Sequence, residues 1–237
     1  DGNNMLTGGG GADGMTGGLG NDIYVADNLG DSVVELADQG TDEVRTGLVT
    51  YTLAANVETL TGTSGSGQSL TGNALDNSIV AGIGNDVLNG GMGADRMVGG
   101  WGDDVYYVDN AGDDVVESNN RGTDTAYSSV SYTLVGRYVE TLALTGTADI
   151  NAVGNVLANI LVGNSGNNSL TGGGGQDQFR FATALGGSNV DTVTDFSVVD
   201  DSIALSASIF GAAGPVGMLG ADAFVIGAAA VDASDRI

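Results

Sequence analysis

The sequence predicts an all-β protein, a solenoid of short parallel strands joined by glycine turns. Glycine followed two positions later by Asp or Asn recurs at nine-residue spacing, and an apolar residue stands two positions beyond each of those acids or amides. No long stretch places apolar residues at the 3.6 spacing of a helix, so helix content is expected to be low.

The nine-residue unit comes first. Gly11 with Asp13, Gly20 with Asp22, Gly84 with Asp86, Gly93 with Asp95, Gly102 with Asp104 and Gly175 with Asp177 set its phase. Steps of nine from these acids reach Asn4, Asp31, Asn77, Asp113, Asn159 and Asn168. Two positions after the resulting twelve residues stand Leu6, Met15, Tyr24, Val33, Ile79, Leu88, Met97, Tyr106, Val115, Leu161, Leu170 and Phe179. With 41% apolar residues, chance would place twelve in a row roughly two times in a hundred thousand. Glycine alone accepts a positive φ without steric penalty, so the glycine-rich part of each unit makes a turn. The other three residues make a short strand whose middle, apolar residue points inward. Two units form one coil with a strand on each side, and coils stack as parallel strands ~4.8 Å apart.

The intervening elements belong to a longer module. Gly20, Asp22, Asp27, Asn28, Gly30, Asp31, Gly40, Thr41 and Asp42 recur in the same order as Gly102, Asp104, Asp109, Asn110, Gly112, Asp113, Gly122, Thr123 and Asp124. Tyr51-Thr52-Leu53 and Val57 to Leu60 answer Tyr132-Thr133-Leu134 and Val139 to Leu142, in stretches rich in Thr, Val and Leu that read as strands. The chain divides into nonapeptide blocks at 1–34, 72–116 and 154–185, intervening β segments at 35–71 and 117–153, and a truncated C-terminal capping region at 186–237. The outer units 26–34 and 108–116 lack the leading glycines and are expected to end each roll.

Composition narrows the chemistry. Of 237 residues 42 are Gly, 25 Asp and 5 Glu, against 6 Arg and no Lys, His or Cys, for a net charge of −24. Without His or Cys there is no Ser-His or Cys-His nucleophile pair, no His or thiolate zinc site and no disulfide. The charge repels nucleic acid and anionic lipid, and no apolar run reaches the ~18 residues of a membrane helix, so neither nucleic-acid binding nor membrane insertion is expected. Cations are the natural partners. Stacking brings Asp13 over Asp31, Asp86 over Asp104, Asp95 over Asp113 and Asp22 over Asn4. Carboxylates ~5 Å apart repel by ~3 kcal/mol at an effective dielectric of 20. An exposed Asp, with its reference pKa of ~3.9, keeps its charge near neutrality. A divalent cation turns the repulsion into ligation, and all-oxygen ligands on pliant turns suit Ca²⁺ better than Mg²⁺. Asp27, Asp42, Asp109 and Asp124 lie outside this register and read as turn caps. Tyr24, Tyr106, Phe179 and Phe181 read as core, and Trp101 as an exposed turn residue.

The units GGGGADGMT (8–16), GGLGNDIYV (17–25), GGMGADRMV (90–98) and GGWGDDVYY (99–107) resemble the GGxGxDxUx nonapeptide of the RTX (repeats-in-toxin, haemolysin-type) proteins. The resemblance implies a parallel β-roll that binds several Ca²⁺ ions, in a protein secreted by a type I secretion apparatus to the extracellular space or cell surface. It also implies ligand sets drawn from turns one full coil apart, carbonyls plus an aligned side chain from each. One is Gly9, Gly11 and Asp13 with Ala26, Asn28 and Asp31. A second is Gly82, Gly84 and Asp86 with Gly99, Trp101 and Asp104, and a third Gly91, Gly93 and Asp95 with Val108, Asn110 and Asp113. Weaker sets join Gly2 and Asn4 to Gly17, Leu19 and Asp22, and Asn73, Leu75 and Asn77 to Gly90, Met92 and Asp95. A last set, Asn155, Leu157 and Asn159 with Gly172, Gly174 and Asp177, is expected to bind weakly or not at all, because neutral Asn stacks without a metal.

Residues 186–205, with Asp191, Asp195, Phe196, Asp201, Ile203 and Leu205, resemble the segment that follows the last repeat in this family and is expected to cover the roll edge. The family usually continues to a secretion signal at the extreme carboxyl terminus, whereas this chain stops at Ile237, and it reads as a fragment of a larger protein. No catalytic constellation is found. The readings left open are a calcium-dependent structural module, the carboxyl-terminal module of a secreted polysaccharide epimerase, lipase or metalloprotease, and an adhesin or surface-layer component with a glycan or cell-surface partner.

Overall fold

The structure, a computed structural model, describes residues 1–119, 121–183, 189–206 and 209. Every pairing between strands among these is parallel, and none of these residues is in an α-helix. Alternation forces this arrangement. Three- and four-residue strands such as Ser78–Val80 and Ile23–Ala26 bury every second side chain, so each coil presents one apolar residue per strand to a shared interior.

One ladder is a seven-stranded sheet through Met5–Thr7, Ile23–Ala26, Glu43–Thr46, Thr59–Gly62, Ser78–Val80, Arg96–Val98 and Asp114–Val116. Its inward residues align as Leu6, Tyr24, Val44, Leu60, Ile79, Met97 and Val115, a column whose spacing lengthens from Tyr24 to Val44 and shortens from Val44 to Leu60. The second is a nine-stranded sheet from Thr50–Thr52 to Ser202–Leu205, which carries Tyr51, Leu70, Leu88, Tyr106, Ala126, Leu142, Leu161, Phe179 and Ile203. A four-stranded sheet, Tyr132–Thr133, Ala152–Val153, Ser169–Thr171 and Thr192–Val193, and a two-stranded one, Gly14–Met15 with Ser32–Val33, complete the architecture.

The roll does not stop at the outer units. Past Ala26 and past Val108 the sheets run on through the intervening segments, from Tyr24 to Val44, Leu60 and Ile79 and from Tyr106 to Ala126, Leu142 and Leu161, before the regular step resumes. Only the opposite flank breaks, where the two-stranded sheet ends at Val33 and the seven-stranded sheet at Val115–Val116. The intervening coils keep an apolar residue at the inward position (Val44, Leu60, Ala126, Leu142, all fully buried), and burial of that residue holds the coil in place whatever the length of its turn. Each full burial of a Leu or Val is worth ~1.5–3 kcal/mol.

Eleven of the twelve residues expected inside are buried, and Leu6, on the edge strand, is half-buried against them. At the carboxyl end, Thr192–Val193 and Ser202–Leu205 add one more strand to each of two sheets rather than lying across an edge. Asp191, Asp195 and Asp201 tie this coil down, accepting the N–H groups of Asn168, of Gly172 and Gly173, and of Asp177 and Ser197. Residues 186–188, 207–208 and 210–237 of the expected cap lie outside the described residues.

Candidate metal centre

The stacked acids form a ladder in which each carboxylate reaches back one coil. One oxygen of Asp31 accepts the N–H of Asp13 at 3.1 Å, of Asp22 that of Asn4 at 2.6 Å, and of Asp104 that of Asp86 at 2.7 Å. Asp95 accepts from Asn77 at 2.7 Å, Asp113 from Asp95 at 3.0 Å and Asp177 from Asn159 at 2.8 Å. Every side-chain pair expected to stack across one coil is therefore brought together. The other oxygen differs. Oδ2 of Asp13, Asp22, Asp95 and Asp104 is buried with no hydrogen-bond partner, which leaves a desolvated acceptor costing ~1–3 kcal/mol or more for a charged group.

The space beside these oxygens exists because the unit opens on glycine. A Cβ on Gly17 would fall 2.0 Å from Asp22 Oδ2, one on Gly90 2.1 Å from Asp95 Oδ2, and one on Gly99 2.2 Å from Asp104 Oδ2. Gly172 has the same relation to Asp177, at 2.3 Å. Gly93, at φ 123° and with its Cβ direction only 2.5 Å from the Leu75 carbonyl, tolerates no side chain either.

The carbonyls implied as ligands are placed unevenly. Backbone bonds join Gly82 and Gly84 to Trp101 at 2.9 and 2.7 Å, Gly2 to Leu19 at 2.5 Å and Asn155 to Gly174 at 2.9 Å, so these turns meet as expected. Gly91 sits against the carbonyl of Asn73, and Met92 is exposed. The carbonyl of Ala26 accepts the Thr46 hydroxyl and that of Val108 the Ser129 N–H, both in the following coil, while Asn28 and Asn110 accept from Asp31 and Asp113 of their own turns. Each such carbonyl keeps one lone pair. Of the first set, Gly9 and Gly11 take the positive φ their turn needs.

The aligned acids are not exposed turn residues. Asp22, Asp86, Asp95, Asp104, Asp113 and Asp177 are all nearly or fully buried, while Asp13 and Asp31 are half-buried. Burial, with the nearby Asp113, Asp109 and Asp76 charges, raises Asp95 to about 6 against the pull of the Asn77 N–H. Burial likewise raises Asp86, Asp104 and Asp177. For Asp86, Asp95, Asp104 and Asp177 the expectation of ordinary carboxylates thus fails, because successive turns close over one another and exclude water.

Asp42 and Asp124 do not cap their own turns. Asp42 accepts the N–H of Asp22 and Asp124 that of Asp104, each at 2.8 Å, so both continue the ladder one coil on. Glu58 and Glu140 continue it again, accepting from Asp42 and Asp124 at 2.8 Å. The signal was present: Asp42 and Asp124 follow a glycine by two positions and precede buried Val44 and Ala126 by two. A fixed nine-residue phase passes over them because their coil is two residues longer. Glu35 and Glu117 lie off the nine-residue phase and recur only with the longer module, and their side chains enter the interior beside these acids. Asp22, Glu35 and Asp42 each offer a carboxylate oxygen, all within 4.8 Å of one another, and Asp104, Glu117 and Asp124 do the same.

The asparagines behave differently. Asn77 turns its amide onto the carbonyls of Val57 and Glu58, and Asn159 onto those of Val139 and Glu140, at 3.0 to 3.3 Å. Asn73, Asn155 and Asn164 also donate to carbonyls of the preceding coil. These turns meet their polar demands within the protein.

A family model of the RTX calcium-binding nonapeptide repeat matches the chain in four copies, over residues 1–24, 71–106 and 153–182. These three segments carry RTX-type repeats. No curated protein matches the chain. The ladder fits the ion named for the matched repeats: orphaned buried carboxylate oxygens, glycine-lined space beside them and an all-oxygen donor set are what a hard divalent cation requires. Trp101 lies on the RTX surface, exposed, under the Arg121 guanidinium 3.9 Å from its ring centroid.

Proposed function

We propose that this chain is a calcium-dependent folding module of a secreted protein, held open by its own charge where Ca²⁺ is scarce and closed into the roll where it is plentiful. The carrying observation is the row of buried, unpartnered carboxylate oxygens on Asp13, Asp22, Asp95 and Asp104. A net charge of −24 and a chain of desolvated acids oppose closure, and ions bound only to the folded form reverse that by mass action. The ligands are those of the nonapeptide turns: Asp13 with Asp31, Asp86 with Asp104, and Asp95 with Asp113, supplemented by turn carbonyls. Extracellular modules commonly bind Ca²⁺ with constants of ~10⁻⁴ to 10⁻³ M. Export by a type I apparatus in the calcium-poor cytosol, followed by folding outside, is the biological reading of that switch. Far-UV circular dichroism and Trp101 emission should change cooperatively as calcium is added to chelated protein. Superimposable spectra in chelator and at ~10 mM Ca²⁺, about tenfold above such constants, would refute the reading.

A further inference from the structure

We propose that Asp22–Glu35–Asp42 and Asp104–Glu117–Asp124 are two carboxylate-rich Ca²⁺ sites additional to those between nonapeptide turns, with which they share Asp22 and Asp104. The inference deepens the folding-module reading and rests on it. Glu35, Asp42, Glu117 and Asp124 all lie outside the segments matched by the repeat family, where the coil is two residues longer than a nonapeptide pair.

In the first triad all three residues are at least nine-tenths buried, and one oxygen of each, Asp22 Oδ2, Glu35 Oε2 and Asp42 Oδ2, has no partner. The remaining oxygens are fixed. Asp22 Oδ1 accepts from the Asn4 N–H, Asp42 Oδ1 from the Asp22 N–H, and Glu35 Oε1 from the Tyr24 hydroxyl, which itself accepts the Gly17 N–H. Each side chain is thus held by one atom and keeps the other without a partner. Three carboxylates with oxygens within 4.8 Å of one another repel pairwise, and among the described residues no Arg side chain bonds to any of them.

A related construction appears in the second module, on a different sheet. Asp104, Glu117 and Asp124 are again buried, Tyr106 donates to Glu117 Oε1 while Glu117 Oε2 accepts the Ser118 N–H at 3.1 Å, Asp104 Oδ2 is unpartnered, and a Cβ on Gly99 would fill the space 2.6 Å from Glu117 Oε1. The intervening sequences differ (Leu36-Ala37-Asp38-Gln39 against Ser118-Asn119-Asn120-Arg121), whereas the three acids and the tyrosine persist. Glutamate here supplies, from a side chain, what turn carbonyls supply in a nonapeptide pair. A third negative charge favours tighter binding than a pair of aspartates provides.

The test is equilibrium dialysis of the full chain against Ca²⁺, comparing wild type with the double variant Glu35→Gln and Glu117→Gln, which keeps shape and the tyrosine contact. The expected result is loss of two bound ions, or at least a tenfold weakening of two, with the calcium-induced dichroism retained. Equal stoichiometry and affinities within twofold overturn the triads while leaving the folding module standing. A wild type that binds no calcium instead overturns the module itself. Should the double variant not fold, crystals of wild-type protein grown with Ca²⁺ decide: an anomalous peak among the three carboxylates of each triad supports the sites, and peaks confined to the nonapeptide turns reject them.

Discussion

Two steps of one ladder, Asp22 to Asp42 and Asn77 to its neighbours, solve the same stacking problem in opposite ways. At the aspartate step the carboxylate accepts one N–H and leaves its second oxygen buried and bare. At the asparagine step one amide atom accepts the Asn73 N–H while Nδ2 donates to Val57 and Glu58. Exchange of an oxygen for an NH₂ leaves one step with a bare buried acceptor and makes the other self-sufficient. The second module repeats the contrast, with Asp104 to Asp124 against Asn159. On the proposed reading the roll alternates steps that need a metal with asparagine anchors that need none, and the anchors follow the irregular coils in which Glu58 and Glu140 end a run of acids.

The largest expected effect comes from breaking an anchor. Asn159→Asp removes both amide donations and leaves a charge facing the Val139 and Glu140 carbonyls, and an uncompensated buried charge costs ~3–5 kcal/mol. Urea unfolding in chelator should show a loss of that size. The reverse exchange has the opposite sign. Asp95→Asn removes a buried unsatisfied carboxylate and should raise stability in chelator by ~1–3 kcal/mol, yet lower it in saturating calcium, so the two unfolding curves cross over in rank.

Acid should act as a poor substitute for metal. Burial raises Asp95 to about 6 and Asp124 to about 7, so between the ordinary carboxylate range and those values the metal-free fold holds protons that the unfolded chain has released. Stability of the chelated protein is then fully present below the ordinary carboxylate value of 3.8 and falls as pH rises through about 6 and 7. Thermal midpoints in chelator should drop across that window and flatten when calcium is added, and a midpoint that climbs with pH in chelator contradicts the assignment. The smallest effect is at the surface of the aspartate-lined coils. Arg121→Ala, which removes the guanidinium from exposed Trp101, should shift the indole emission while costing less than ~1 kcal/mol.

How much of this was legible in the sequence depends on what held each residue in place. Leu88 over Tyr106, or Asp86 under Asp104, is fixed by a coil of two nonapeptides, and a regular spacing is visible in one dimension. Tyr24 over Val44 and Tyr106 over Ala126 are held instead by burial of an inward side chain across a longer turn. The contact survives a change of spacing that hides it from a periodic search. The raised proton affinity of Asp86, Asp95 and Asp104 is not legible for a related reason: a single turn is open to water, and only the coils on either side of it, contributed from elsewhere in the chain, exclude that water.

By itself the sequence determined the parallel coil, its inward column and the demand for cations, because alternation, glycine turns and a heavy excess of carboxylates are local properties repeated along the chain. Tertiary structure alone decided that the intervening segments stay in the same sheets, that the aspartates are buried, and that Glu35 and Glu117 join acids on either side of them in the chain. Those outcomes depend on which groups share one water-free space, and that is settled only when the coils close on one another.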